Sequence, residues 1–357
     1  MSHEQGQALV PTRTPLSVAV VVPAYKVRAH LEQVIRTIPG FVSAIYVVDD
    51  ACPEGSGELA GRSEDPRVRV IHNERNMGVG GAVMTGYRQA LLDGHDILVK
   101  VDGDGQMDPA MMIELVGPVA DGGADYAKGS RFYDLTYIGK MPVVRIFGNA
   151  LLSLLSKAST GYWDILDPTN GYTAIHADTA RRLDFTKISG RYFFETDILF
   201  RMNLIRAAVV DVPMDARYGD EVSNLKISRI IGEFLYKHLR NTIKRVFYNY
   251  FLRDFTIASV ELVAGVLLLL AGTSFGLYHW ARAVSQGVET PAGTVMVAAL
   301  PVMLGLQLLL AFVSYDIARV PRRSIRRKVG RPSSLLSASG TGRDHEAPKD
   351  GLDIQDP

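Results

Sequence analysis

The run Asp102-Gly-Asp104-Gly-Gln106-Met-Asp108 follows the apolar segment Ile97–Val101. Two carboxylates flanking one small residue at a strand end can point at a common cation, and oxygen ligation suits Mg²⁺ or Mn²⁺. A divalent ion on Asp102 and Asp104 would in turn hold a diphosphate, with glycines letting a ligand approach the backbone. Asp-x-Asp alone is a weak signal, and its plain alternative is a solvated acidic turn. A second pair, Asp49 and Asp50, ends the run beginning Val47-Val48. An aspartate there can accept from a base N–H or a ribose hydroxyl, or cap the helix that Pro53-Glu-Gly-Ser-Gly would start; one residue can do both.

Asn73-Glu-Arg-Asn76-Met-Gly78-Val-Gly80-Gly81 puts glycines at the entry to a helix, where free backbone N–H groups can cradle phosphate. The spacing is neither Gly-x-Gly-x-x-Gly nor a P-loop, and close helix–sheet packing would use the same glycines. Gly129-Ser-Arg131 offers a cation to phosphate at another strand end, and Asp167-Pro-Thr-Asn170-Gly171-Tyr172 is a polar turn able to meet a sugar. Glu195 and Asp197 are catalytic candidates at a helix start, a place where the dipole favours acids in any case. Arg217, Tyr218, Ser223 and Lys226 form a cationic loop suited to gathering an anion at a membrane face. The eight histidines form no spaced metal pair, and no Ser/His/Asp triad is legible.

These residues need a scaffold. Strands are predicted at Val18–Tyr25, Ala44–Ala51, Val68–Glu74, Asp96–Asp102, Ala124–Gly129 and Ala208–Val212. Helices are predicted near Ala29–Ile38, Gly78–Leu92, Pro109–Ala120, Val143–Ala158 and Glu195–Arg206. Strands apolar on both faces and separated by helices predict an α/β domain with a mostly parallel sheet. Ligands of such sheets bind at the carboxyl ends of the strands, where Asp49, Asp50, Asp102 and Asp104 fall. The polar residues 1–15 read as a disordered leader and 16–227 as the catalytic domain. Leu16–Ala24 is too short and too valine-rich for a signal peptide and reads as the first buried strand.

The last third is a different material. Residues 228–253 carry apolar side chains at three- and four-residue spacing beside Arg229, Lys237, Arg240, Lys244, Arg245 and Arg253. That pattern predicts an amphipathic helix lying in a membrane interface, its alternative being a helix packed on the catalytic domain. Within 254–318, residues 255–280 hold one charge, Glu261, and 291–315 hold none; each run exceeds the roughly 20 apolar residues that span a bilayer. Basic residues precede the first span and follow the second, while the connecting segment has only Arg282. The positive-inside rule then makes this a multi-pass membrane protein with its catalytic domain and both termini cytoplasmic. Residues 319–357 read as a basic, then disordered, tail. Glu261 is read as reaching water near the interface, the alternative being a contact in a homo-oligomer.

Across all 357 residues, 39 basic against 38 acidic side chains leave a net charge of +1, which excludes the field that gathers nucleic acid. One cysteine, Cys52, excludes an internal disulfide framework and a cysteine-rich zinc site.

Pro23-Ala-Tyr25, Val48-Asp49-Asp50, Asn76-Met-Gly78, Asp102-Gly-Asp104-Gly-Gln106, Gly129-Ser-Arg131, Asp167-Pro-Thr-Asn-Gly171 and Ser223-x-x-Lys226 occur in one order. Together they resemble family 2 glycosyltransferases, in particular the dolichyl- or polyprenyl-phosphate sugar synthases. The resemblance covers residues 16–230 and implies a GT-A (Rossmann-like) fold binding a nucleotide sugar. It implies inverting transfer of one sugar from a GDP- or UDP-linked donor to a dolichyl or undecaprenyl phosphate, with Mg²⁺ or Mn²⁺. Carried over by position, Pro23, Tyr25, Asp49, Asp50, Asn76, Gly78 and Asp167 would meet the donor. Asp102 and Asp104 would handle metal and diphosphate near Gln106, Arg131 would bind phosphate, and Arg217, Ser223 and Lys226 would meet the acceptor phosphate. The chain departs from the family in having Val27 and Asp220 where an acid and an arginine are frequent. Alternatives are a glycolipid, protein or polysaccharide acceptor, a non-catalytic sugar-nucleotide-binding scaffold, and a nucleotidyltransferase.

Overall fold

The computed structural model describes residues 16–132, 143–214 and 227–328. Seven strands form one sheet: β1 (Val18–Ala24), β2 (Ala44–Asp49), β3 (Val68–His72), β4 (Ile97–Lys100), β5 (Tyr126–Ser130), β6 (Thr173–His176) and β7 (Val209–Pro213), in the order β3-β2-β1-β4-β6-β5-β7. Every neighbouring pair is parallel except those made by β6, which runs antiparallel to β4 and β5. This is the GT-A-like arrangement the resemblance implied.

The alternation along β1 explains the layering. Ala19 and Val21 pack into one core with Tyr46, Val48, Met84 and Tyr87. Val18, Val20 and Val22 pack into the other with Leu31, Ile35, Ile45 and Leu115. Helices α1 (Arg28–Thr37) and α4 (Met112–Ala120) cover the second face and α3 (Gly78–Leu92) the first; α2 (Ser56–Ala60) is a single short turn after β2. All seven residues of β1 are buried, and each valine removed from water is worth about 1.5–3 kcal/mol.

Helix α5 (Val143–Thr160) precedes β6, α6 (Ala177–Ala180) follows it, and α7 (Phe194–Leu204) leads into β7. β6 was not foreseen: its four residues carry no strand pattern, and its antiparallel pairing is fixed by β4 and β5 on either side.

Helix α8 (Ile227–Phe247) continues into a π-helical segment, Tyr248–Arg253. Its polarity is inverted relative to a helix in water. His238, Asn241 and Arg245 are buried against the domain, while Leu235, Leu239, Ile243 and Phe247 are more than half exposed. His238 Nδ1 meets Ser159 Oγ at 2.8 Å, and Asn241 Nδ2 donates to Asp197 Oδ1 at 3.1 Å.

Helices α9 (Ile257–Gln286) and α10 (Ala292–Ala318) are long and apolar enough to cross a membrane, and only 11% of the most apolar stretch of each is buried. At 30 and 27 residues they would measure roughly 45 and 40 Å, more than the ~30 Å hydrocarbon core. Small residues set their approach: a Cβ on Gly305 would stand 2.8 Å from the Gly265 carbonyl oxygen. Glu261 sits in the second turn of α9, partly exposed.

The hairpin is fastened to the domain. Asp316, buried at the end of α10, accepts from Arg245 at 2.7 and 2.9 Å, from Tyr250 Oη at 2.7 Å and from Trp163 Nε1 at 2.8 Å. The chain then returns to the sheet. Ser324 Oγ and Ile325 N donate to the buried Asp125 carboxylate at 2.8–3.0 Å, and Val320 and Ile325 join the first core ahead of α11 (Ile325–Lys328). Residues 319–328 are therefore part of the folded body rather than the start of a tail.

Candidate active site

Most of the predicted site residues stand at one end of the sheet, where β1, β2, β4, β5 and β7 finish. Asp102 follows β4, and Gly103 lies so close to β1 that an added Cβ would be 2.9 Å from Val27 Cγ2 and 3.4 Å from the Pro23 oxygen. The Asp102–Asp104 loop is thus seated beside Pro23, with Tyr25 beyond it 42% exposed. Asp104 Oδ1 accepts from Gln106 N at 3.0 Å, which closes the loop as an Asx turn. Two residues on the loops after β1 and β2, Lys26 and Ala51, hold left-handed backbone at φ 59° and 54° without being glycine. Such strain persists only where surrounding contacts enforce it, and it concentrates at binding sites.

Asp49 and Asp50 take different tasks. Asp49 accepts from Cys52 N at 2.7 Å and Gly57 N at 3.2 Å, shaping the turn into α2. Asp50 accepts from Asn73 Nδ2, Met77 N and Gly78 N at 2.8–3.0 Å, binding the entry of α3 to the end of β2. Gly78 is required there, because its φ is +81° and a Cβ would stand 2.5 Å from the Gly190 oxygen. Both aspartates are buried, and each accepts backbone N–H groups at the entry of a different helix, Asp49 at α2 and Asp50 at α3. Asn76 lies on that same loop.

Beneath Asp102 is a buried charge network that the motifs did not reveal. Lys100, 1% exposed, places Nζ 2.8 Å from Asp102 Oδ1 and 3.6 Å from Glu195 Oε1. Burial alone would favour loss of its proton, but Asp102 and Glu195 more than offset this and hold the ammonium above its ordinary range. Gly171 makes the pair possible: a Cβ there would meet Lys100 Nζ at 2.3 Å and Asp102 Oδ2 at 2.8 Å. On β5, across β6 from Lys100, Lys128 is fully buried and donates to the Asn170 carbonyl. Burial pushes it down to about 8, against the opposing pull of Asp167 and Glu195. Arg131 holds Asp167 in a two-pronged pair, Nε–Oδ2 at 2.8 Å and Nη2–Oδ1 at 3.3 Å. Burial would raise the Asp167 carboxyl, but the Arg131 bonds and charge, with Lys128, hold it below the usual range.

The signal for the lysines was present in the sequence. Lys100 interrupts an apolar strand two residues before Asp102, which puts both on one side of the chain. Asp197 is not brought to the group. Its carboxylate accepts from Ser189 N at 2.8 Å and Asn241 Nδ2 at 3.1 Å, joining α7 to α8 and the preceding loop. Arg217, Ser223 and Lys226 lie outside the described residues.

No group of three or more His, Cys, Asp or Glu side chains able to hold a metal exists among the described residues. A two-carboxylate site still suits Mg²⁺ or Mn²⁺, since Mg²⁺ commonly takes one or two carboxylates and completes its shell with substrate phosphates and water. Asp102 fits that use. Its Oδ1 is held 2.8 Å from the Lys100 ammonium, which fixes the carboxylate beside the Asp104 loop.

Asp211 stands beside Lys128 in the β5–β7 pair. Burial raises its carboxyl to about 6; one oxygen accepts from Leu166 N at 2.6 Å, and the other is buried without a hydrogen-bond partner. A folded value above the unfolded 3.8 means that its stabilising contribution is complete below pH 3.8 and is lost as pH rises through about 6. Asp211→Asn is therefore expected to raise stability by about 1–3 kcal/mol at pH 7.5, and by progressively less as pH falls to 5. Urea unfolding at the two pH values checks it; an equal effect at both would contradict this origin.

Residues 19–183 match the family model described as Glycosyl transferase family 2. An undecaprenyl-phosphate mannosyltransferase of Micrococcus luteus is 33% identical over 204 residues, covering 56% of this chain and 83% of that protein. The chain belongs to glycosyl transferase family 2. A polyprenol monophosphomannose synthase of Mycolicibacterium smegmatis is 29% identical over 220 residues, 59% of this chain and 82% of that one. This family 2 glycosyltransferase is thus related to the polyprenyl-phosphate mannose synthases. Among solved structures, glucosyl-3-phosphoglycerate synthase from Mycobacterium tuberculosis, in complex with Mn²⁺, UDP-glucose and phosphoglyceric acid, aligns at TM-score 0.48 and 21% identity over 64% of this chain and 79% of that one.

Proposed function

We propose that this family 2 glycosyltransferase moves one sugar from a nucleotide diphosphate to a polyprenyl phosphate at the cytoplasmic surface of a bilayer. The observation that carries the reading is α8, whose outer face is Leu235, Leu239, Ile243 and Phe247 and whose inner face is polar. That helix continues through its π-helical segment to two helices long enough to span a membrane. A transferase built this way holds its site at the lipid surface, where a polyprenyl phosphate is presented. The relatives of matching name act on such acceptors, which supports the same assignment here.

The acceptor phosphate, with a second pKa of about 6 by analogy with phosphomonoesters, is already anionic at neutral pH and needs little help from a base. Its oxygen attacks C1 of the sugar, the C1–O bond to the diphosphate breaks, and the nucleoside diphosphate departs from the opposite face with inversion. The chain's work is alignment and stabilisation of charge on the leaving group. A divalent ion bound by Asp102 and Asp104 would neutralise that charge. Lys100 fixes Asp102 and Glu195, Arg131 faces phosphate from its seat on Asp167, and the Asp49 and Asp50 loops frame the nucleotide. Lys226, with Arg217 and Ser223, would meet the acceptor phosphate.

Leu239→Glu combined with Ile243→Glu is expected to lower transfer to undecaprenyl phosphate in phosphatidylcholine vesicles by more than tenfold, because two charges must then enter the interface. Transfer to a short-chain, water-soluble prenyl phosphate should stay within about twofold, since neither residue is at the carboxylate edge. Equal activity on both acceptors, as in the unmodified protein, would remove the surface role of α8.

A further inference from the structure

A second polar feature lies away from the carboxylate edge. Between α7 and the junction of α8 with its π-helical continuation is a groove of about 520 Å³. Its lining mixes the cations Lys187, Arg201, Arg240 and Lys244 with apolar Phe200, Leu204, Phe247 and Leu252, and both α7 and α8 with its continuation contribute to each kind. No acidic side chain among the described residues lines it. Lys187 is paired with Asp184 at 2.9 Å and Arg201 with Asp197 at 3.4 Å, outside the groove. Arg240 and Lys244 have no carboxylate within ion-pair distance among the described residues, and Arg240 Nε and Arg201 Nε are buried without a hydrogen-bond partner. The groove therefore holds uncompensated positive charge and unfilled donors.

Part of the apolar lining continues into the exposed apolar surface at the foot of α9. Phe247 and Leu252 are 54% and 64% exposed, and Phe255 and Ile257, at the foot of α9, are 70% and 65% exposed. Leu252 belongs to the π-helical segment, a geometry that is rare and recurs at functional sites. A ligand matching both kinds of lining has an anionic head and an apolar tail.

We propose that this groove seats the headgroup phosphate of an anionic phospholipid from the surrounding bilayer. The acceptor substrate is a poorer occupant by position. Its single phosphate must stand at the carboxylate edge for transfer, near Glu195 at the first turn of α7, whereas the groove residues Phe200, Arg201 and Leu204 lie five to nine residues further along that helix, roughly 8–13 Å. A soluble anion would leave Phe200, Leu204, Phe247 and Leu252 of the lining uncovered. The inference rests on the membrane-surface reading above, and it adds a lipid that holds the enzyme in register with the headgroup plane without taking part in the reaction.

The test uses the detergent-purified full chain and native mass spectrometry, with phosphatidylglycerol and phosphatidylcholine offered together. Preferential retention of phosphatidylglycerol is expected, and Arg240→Gln with Lys244→Gln should weaken it by about fivefold for each cation removed, roughly 25-fold together. An unchanged preference in the double variant overturns the site. Displacement of the lipid by inorganic phosphate at equal concentration makes it a soluble-anion site and also overturns the proposal. Displacement by undecaprenyl phosphate, accompanied by loss of transfer in the double variant, makes it the acceptor channel and does the same. Flotation with phosphatidylcholine vesicles separates the two readings: failure of the unmodified protein to float sinks membrane anchoring, whereas floating of both proteins with loss of lipid preference only in the variant supports the groove.

Discussion

Asp104→Ala is expected to lower sugar transfer by about 10³-fold while the protein remains folded and vesicle-bound. The magnitude is that of removing one preorganised group from a site whose task is to neutralise developing charge. The residue sits on a loop, partly exposed, and its Oδ1 holds the Gln106 amide, a bond worth about 1 kcal/mol to stability. The loss should therefore fall on kcat rather than on expression or melting temperature. Metal titration sharpens the reading: the residual activity of Asp104→Ala should need a higher Mn²⁺ concentration than the unmodified enzyme. A fully active variant would remove Asp104 from the reaction. An inactive variant that also melts early would show that the Asx turn, and not the carboxylate's charge, is what the site requires.

Lys100→Met carries the second large effect. Methionine fills a similar volume, so packing changes little, but Asp102 and Glu195 lose the cation between them. Removing one partner of a buried pair typically costs 3–5 kcal/mol. Here the carboxylate side chains are 26% and 15% exposed, and screening brings the expectation to about 2–3 kcal/mol. Transfer should fall at least 10²-fold, because Asp102 is no longer held in place. Adding Glu195→Gln to Lys100→Met removes one uncompensated charge, so part of the stability should return while activity does not. Chemical unfolding and initial rates on the three proteins check this; a double variant no more stable than Lys100→Met would show that charge compensation is not the role of Lys100.

The fold was largely legible because its signals are local. Val20, Val22, Ile45 and Val47 alternate with equally apolar neighbours, which is the mark of a sheet covered on both faces. Helix α3 begins and ends where Gly78 and Leu92 predict. β6 escaped because Thr173–His176 owes its structure to the strands on either side. The helices reach beyond the two apolar runs, to Gln286 and Ala318, since helical hydrogen bonding does not stop where hydropathy falls.

The site was legible in part for a different reason. Asp102 and Asp104 announce themselves by spacing, whereas the lysine that positions Asp102 looks like an irregularity in a strand until the sheet is closed. Asp197 shows the reverse situation. An acid at a helix start looks like a candidate for chemistry, yet its oxygens are engaged by Ser189 and Asn241 across a packing seam. Residues far apart in sequence, such as Asp125 with Ser324 and Asp316 with Trp163, carry no local signal at all.

The most direct test of the central assignment is transfer itself. Purified protein is mixed with undecaprenyl phosphate, Mg²⁺ or Mn²⁺, and radiolabelled GDP- and UDP-sugars in turn, and label entering the organic phase is counted. The account predicts lipid labelling from one donor, lost with EDTA and restored by excess metal. Donor turnover with no label in the lipid under any metal would contradict the polyprenyl phosphate acceptor and leave only the family's general chemistry standing.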